Sequence, residues 1–222
     1  MPQTLFDLCG GHPALDFVNS LDNRFRDDGP NEMLATYGDL VRFLEESTLL
    51  SREQGRALNK AVAPEAAARA LKSTHELREA AAAVFYASLA GKRPPQEALR
   101  LLERDFLNAS RHRELQWQPR GGADMPARAP TQASVSASAQ APIAWHWGRH
   151  ENDADLPVWI LALSVSDVLL SPDMDRVRTC AVDTCRWLFL DTSKNHTRRW
   201  CNMKVCGNRM KARRFQARRD PT

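Results

Sequence analysis

Residues 180–215 read CAVDTCRWLFLDTSKNHTRRWCNMKVCGNRMKARRF and hold four of the chain's five cysteines. Cys180 and Cys185 are separated by four residues, as are Cys201 and Cys206, and fifteen residues lie between the pairs. Two close thiol pairs joined by a loop are how structural zinc sites are written in sequence. Each pair sits on a tight turn, and the intervening segment folds back until four sulfurs meet tetrahedrally around the ion. Four soft thiolates select zinc, or an iron–sulfur cluster, over hard cations. They also close the coordination shell and leave no water to activate, so the metal is structural. His196 is a spare ligand type within the loop, but four cysteines suffice.

The flanking residues suit that geometry. Arg178–Cys180 and Trp187–Leu190 can form strands around the first pair, and residues 191–195 (DTSKN) are turn material. Gly207 offers a close backbone approach to the sulfurs. The residues after Cys206 suit a helix, which predicts a treble-clef arrangement: a hairpin knuckle followed by a helix carrying the second pair. So small a module has little core of its own. Zinc binding, worth ~10–16 kcal/mol in small finger peptides, supplies much of its folding free energy.

Outward from this stretch the charge is unevenly placed. Residues 176–222 carry 13 lysines and arginines against 3 acidic residues, a net +10, whereas the preceding 175 residues carry −6, within a total of +4. A basic module on an acidic body points to a nucleic acid or another polyanion. On the helix after Cys206, Met210 and Ala217 share the cysteine's side. Lys211, Arg214 and Arg218 form one basic stripe, and Arg209 and Arg213 a second. Phe215 points away from the zinc side. Arg198 and Arg199 add basic charge on the hairpin. Charges this dense repel one another until phosphates neutralise them and release counterions. The expected nucleic-acid contacts are Arg198, Arg199, Asn208, Arg209, Lys211, Arg213, Arg214 and Arg218. A solvated cationic face, or a surface for an acidic protein, is the competing reading.

The rest of the chain reads mainly as helix: a short one around Ala14–Leu21, a second near Tyr37–Glu46, and a third opened by the capping box Ser51–Gln54. A long alanine-rich helix runs from Pro64 to Gly91, and a fifth from Pro94–Pro95 to about Arg113. Residues 114–118 and 143–148 alternate like strands, with Trp145 and Trp147 on one face. The Pro/Ala/Ser/Gly-rich segment between them (120–141) reads as a flexible insertion in that hairpin. Residues 155–171 are apolar on nearly every side and read as a buried helix. Its most apolar part, Val158–Leu170, is too short for a bilayer, which needs ~20 residues, and contains Asp167. The start lacks a secretory pattern. A cytoplasmic location is expected, where thiols stay reduced and clustered cysteines argue for metal over disulfides.

Cys180, Cys185-Arg-Trp-Leu-Phe-Leu-Asp-Thr-Ser-Lys, Arg198-Arg199-Trp200-Cys201 and Cys206-Gly207-Asn208-Arg209 together resemble the CGNR zinc-finger family. Residues 12–24, HPALDFVNSLDNR, resemble the opening of the ABATE domain that precedes this finger. The resemblance implies a stress-induced transcription regulator: an α/β two-layer, ligand-binding N-terminal domain with a groove, and a DNA-binding treble-clef finger. The expected architecture is α+β, with an ABATE-like sensing domain over 1–173 and the finger over 174–222. A small-molecule effector and duplex DNA are the expected partners, with no membrane. A homo-oligomer is compatible with the sequence. An RNA-binding or protein-docking zinc module is the alternative.

Enzyme motifs fail. His112-Arg113-Glu114 lacks the P-C-x-x-C partner of the zinc deaminases. His75-Glu76 lacks the second histidine of a zincin. Cys9 near His12 reads as an inert near-terminal thiol. No catalytic set emerges, so no enzyme activity is expected. The polar group Asn19, Asp22 and Arg24 is the remaining candidate for contact with an effector, although a solvated helix end explains it as well. Trp145, Trp147 and Trp159 are expected in the core.

Overall fold

The computed structural model describes residues 5–117 and 143–219, with the side chains of Arg214 and of residues 217–219 excepted. The 120–141 insertion and the expected placements of the Arg214, Ala217 and Arg218 side chains lie outside the described residues.

Local chemistry starts and stops the helices. Pro13 occupies the first turn of α1 (Pro13–Asn19), and the His12 side chain caps it by accepting from the Ala14 amide at 3.2 Å. Burial lowers the pKa of His12, against a small upward pull from Asp173, which keeps Nδ1 an acceptor. Reciprocal capping boxes open α2 (Tyr37–Glu46) at Thr36/Asp39 and α3 (Arg52–Ala61) at Ser51/Gln54. Pro64 begins the 26-residue α4 (Pro64–Leu89), and Gly91, at φ +63°, ends its run in the left-handed region. α5 (Gln96–Arg111) follows Pro95. α6 (Leu156–Leu169) is buried on almost every side, as its continuous apolar run predicts. It packs on α1, α2, α4 and α5, so it is the pillar around which the helical body is assembled.

Among the described residues, β structure is confined to three two-stranded antiparallel ribbons. β1 (Leu21–Asp22) pairs with β2 (Asn31–Glu32), β3 (Glu114–Trp117) with β4 (Ile143–His146), and β5 (Val177–Thr179) with β6 (Leu188–Leu190). The architecture is α+β and mostly helical. Trp159 is in the core at 4% exposed, and Trp147 packs against it from the edge. Trp145 departs from the expectation at 50% exposed. The inward position on β4 is His146, and the Arg113 guanidinium covers Trp145, 4.9 Å from the ring centre.

The β5–β6 ribbon belongs to two cores at once. Val177, Leu188 and Leu190 are buried in the main helical core. Phe189, facing the other way, joins Cys180, Val182, Cys201 and Cys206 in a smaller second core. Period-two alternation along one three-residue strand therefore bolts the cysteine module to the helical body. After β6 the chain loops back through residues 191–202, makes a single π-helical turn at Met203–Gly207, and ends in α7 (Asn208–Arg219).

Candidate metal centre and nucleic-acid interface

The sulfurs of Cys180, Cys185, Cys201 and Cys206 all lie within 4.8 Å of one another. Cys185 to Cys201 and Cys201 to Cys206 are each 3.7 Å. Four thiolates at ~2.3 Å from a tetrahedral ion stand about 3.8 Å apart, so the donor set is of the type and size that zinc takes. His196 is not part of it: its Nδ1 faces the Asp191 carbonyl at 3.3 Å.

Backbone turns hold each pair. In the first, the amides of Cys185 and Arg186 both donate to the Val182 carbonyl, at 2.8 and 3.0 Å. Arg186 takes φ +51° to close the knuckle, and its guanidinium lies 4.3 Å from the centre of the Phe25 ring. The Cys180 amide donates to Trp187 O, and that of Ala181 to Arg199 O, each at 2.8 Å. In the second pair, the Asn202 side chain caps the turn leading to Cys206 by accepting from the Lys204 amide at 2.9 Å. Gly207 differs from expectation. A Cβ there would come within 2.4 Å of the thioether of Met203, a flexible side chain, so the sulfur it makes room for is not a cysteine's.

Four acidic groups so close cannot all ionise without a cation. Hydrogen bonds from Cys185 and Cys201 hold Cys180 far below the usual thiol range. Cys201 is driven well above it by hydrogen bonding with Cys180, then Cys185 and Cys9, with burial adding to these. A divalent ion resolves that competition by taking all four as thiolates, so loading releases protons.

The basic residues divide into two groups. Arg198 is expected at a phosphate, but the structure gives its guanidinium a structural use. Nε donates to Trp200 O at 2.9 Å, Nη1 to Leu190 O at 3.4 Å, and Nη2 to the carbonyls of Cys9, at 3.1 Å, and Cys201. It also covers the Phe189 ring at 4.5 Å. Arg199 is exposed and lies 5.8 Å from the centre of the Trp200 ring. On the C-terminal helix Asn208, Arg209, Lys211 and Arg213 are exposed, while Met210 packs toward the sulfur cluster as its wheel position predicts. Phe215 is 61% exposed.

The expected effector contacts also acquire structural partners. Asn19 is 4% exposed, and its amide is spent on one backbone unit: Nδ2 donates to Leu188 O and Oδ1 accepts from Leu188 N, both at 2.9 Å. Asp22 Oδ1 accepts from Trp187 Nε1 at 3.0 Å. Arg24 is bidentate on Glu79, whose pKa is lowered because that bond and the charges of Arg24 and Arg78 outweigh the upward push of burial. These residues clamp the finger or brace the body. Asp22 also lines a cavity of about 280 Å³ between the first residues and the metal centre, together with Asp7, Trp187, Cys201 and Arg209.

Reading the sequence alone misses the remaining clamps. Tyr86 donates to Arg186 O at 3.0 Å, and the Leu190 amide to Gly10 O at 2.7 Å. Buried Arg78 is bidentate on Glu32 at 2.7 and 2.5 Å. No motif marks any of them, since each pairs residues remote in sequence. The rejected enzyme residues are likewise placed: His112 stacks on Trp159 at 3.9 Å, and His75 Nε2 lies 2.9 Å from Leu34 O.

Fold and site together define a class: a helical domain to which a four-cysteine zinc module, with a basic terminal helix, is docked through its hairpin. Comparison with family profiles gives the same order along the chain. Residues 11–172 match the ABATE family, described as "Putative stress-induced transcription regulator", and residues 176–219 match the CGNR zinc finger. The chain belongs to the ABATE family and carries a CGNR finger holding one structural zinc. No curated protein matches it. No helix among the described residues is long and apolar enough to cross a membrane.

Proposed function

We propose that this protein is a cytoplasmic, DNA-binding transcription regulator and not an enzyme. Its zinc finger, of treble-clef type, presents the terminal helix to the phosphate backbone. The observation that carries this reading is the exposure of Arg209, Lys211 and Arg213 on the helix that begins two residues after ligand Cys206. Metal, helix and cationic face are thus continuous. The family description supports the regulatory reading. The N-terminal domain senses a small effector. The 280 Å³ cavity supports this, because its lining joins Asp7 and Asp22 of that domain to Arg209 of the terminal helix.

Binding of metal-loaded protein to duplex DNA, followed by fluorescence anisotropy, should weaken steeply with salt, log K falling by ~0.9 per neutralised phosphate on a log-salt scale. Replacing Lys211 and Arg213 together by Ala should lower that slope by about 2 with zinc content unchanged. A salt-independent affinity defeats the phosphate reading, and loss of zinc in the variant makes the two side chains structural. Competition by structured RNA or an acidic polymer that displaces duplex DNA would favour the RNA-binding or protein-docking alternative.

A further inference from the structure

The fifth cysteine looks inert in the sequence, but the fold carries it to the metal centre. Residues 7–9 run beside 201–202. One nitrogen of Arg198, Nη2, donates to the carbonyls of both Cys9 and Cys201. Asn202 Nδ2 reaches Asp7 Oδ2 at 3.4 Å. The Cys9 side chain packs against the core that contains Cys180, Cys201 and Cys206. Cys201 is only 3% exposed, yet it lines the cavity of about 280 Å³. That space holds many molecules the size of water, each of which needs only ~10–15 Å³.

We propose that Cys9 and Cys201 form a reversible thiol–disulfide pair. Oxidation by a hydroperoxide joins them and withdraws Cys201 from the zinc ligand set. The Cys201 thiolate attacks one peroxide oxygen: an S–O bond forms and the O–O bond breaks. The departing oxygen takes up a proton and leaves as water or an alcohol. The Cys9 sulfur then attacks the Cys201 sulfenic acid. The S–S bond forms, the S–O bond breaks, and water leaves with the Cys9 proton. Two electrons pass from the two sulfurs to one peroxide. Three thiolates remain at the site, too few for a closed all-cysteine shell.

Cys9 is suited to the resolving role because it is the one cysteine outside the tetrahedral cluster. It can condense with an oxidised ligand without first leaving the metal. A thiol reductant reverses the step by exchange. The inference rests on the zinc site and is independent of DNA binding.

The test is to treat the full-length, zinc-loaded protein with hydrogen peroxide, follow zinc release with a chromogenic chelator, and map disulfides by mass spectrometry of non-reduced peptides. The expected result is a Cys9–Cys201 disulfide accumulating in step with released zinc, with both reversed by dithiothreitol and added zinc. The Cys9→Ser variant should bind zinc normally but lose the Cys9–Cys201 disulfide, and a larger share of its released zinc should fail to return on reduction because the oxidised Cys201 ends as a sulfinic acid. The proposal is overturned if disulfides in the unmodified chain join only the four ligands while Cys9 still takes up an alkylating agent, or if no disulfide forms. The mapping uses the unmodified chain, so it decides the question even if the variant folds poorly.

Discussion

Asn19 shows how one side chain can serve as a joint. Its amide offers one donor and one acceptor in a plane, matching the N–H and C=O of Leu188 at the edge of the finger hairpin. Asn19→Ala leaves both of those buried groups without that partner, and urea denaturation should show a loss of ~2–3 kcal/mol. Zinc content should stay stoichiometric, since no ligand is touched. Asp16 is a second buried polar residue with a directional consequence. Burial pushes its pKa up to about 7, although the Gly10 amide, donating at 2.7 Å, pulls the other way and Asp7 adds to the rise. The folded state therefore holds a proton that the unfolded chain has lost. Its stabilising contribution is full below the ordinary carboxylate range and is lost as pH rises from about 4 to about 7. Asp16→Asn should remove that decline. Melting temperatures of the two proteins compared across this window test it, and parallel profiles would mean Asp16 does not titrate there.

At the level of elements, β6 and the C-terminal helix have opposite dependences. β6 alternates between two cores, so the helical body holds it whether or not the sulfurs are occupied. The terminal helix begins two residues after the last ligand, has few apolar side chains, and carries a run of like charges. Without the cluster it has little to pack against, and isolated helices of about a dozen residues are marginal in water. Chelation should therefore remove hydrogen-exchange protection from residues 191–219, while the Leu188 and Leu190 amides stay protected through Asn19 and Gly10. Uniform loss of protection across β5, β6 and α1 would show that zinc holds the docking itself.

Across the whole molecule, body and finger meet through Asn19 of α1, Asp22 of β1 and Tyr86 of α4. Trp187 reports on this joint: its indole N–H is bonded to Asp22. Acidification should expel zinc, because each ligand must be a thiolate to bind and proton uptake competes for it. A pH titration should show the metal leaving at a higher pH than that at which the helical far-UV signal of the body is lost. Coincident transitions would mean that the body cannot stand without the finger.

The sequence alone was enough for whatever depends on neighbours along the chain. The capping residues, the prolines at helix starts, the apolar run of α6 and the paired cysteines each act through local spacing, and the structure follows them closely. That is also why the metal ligands were legible. The uses of Arg198, Asn19, Asp22, Arg24 and Cys9 were decided only by tertiary packing. Their side-chain chemistry suits a phosphate, an effector or a solvated end as well as a buried carbonyl. Which one each meets depends on contacts that span, for Asn19 and Cys9, most of the chain. A polar side chain shows in sequence what it can bond, and only the fold brings one partner close enough, out of water, for that bond to be made.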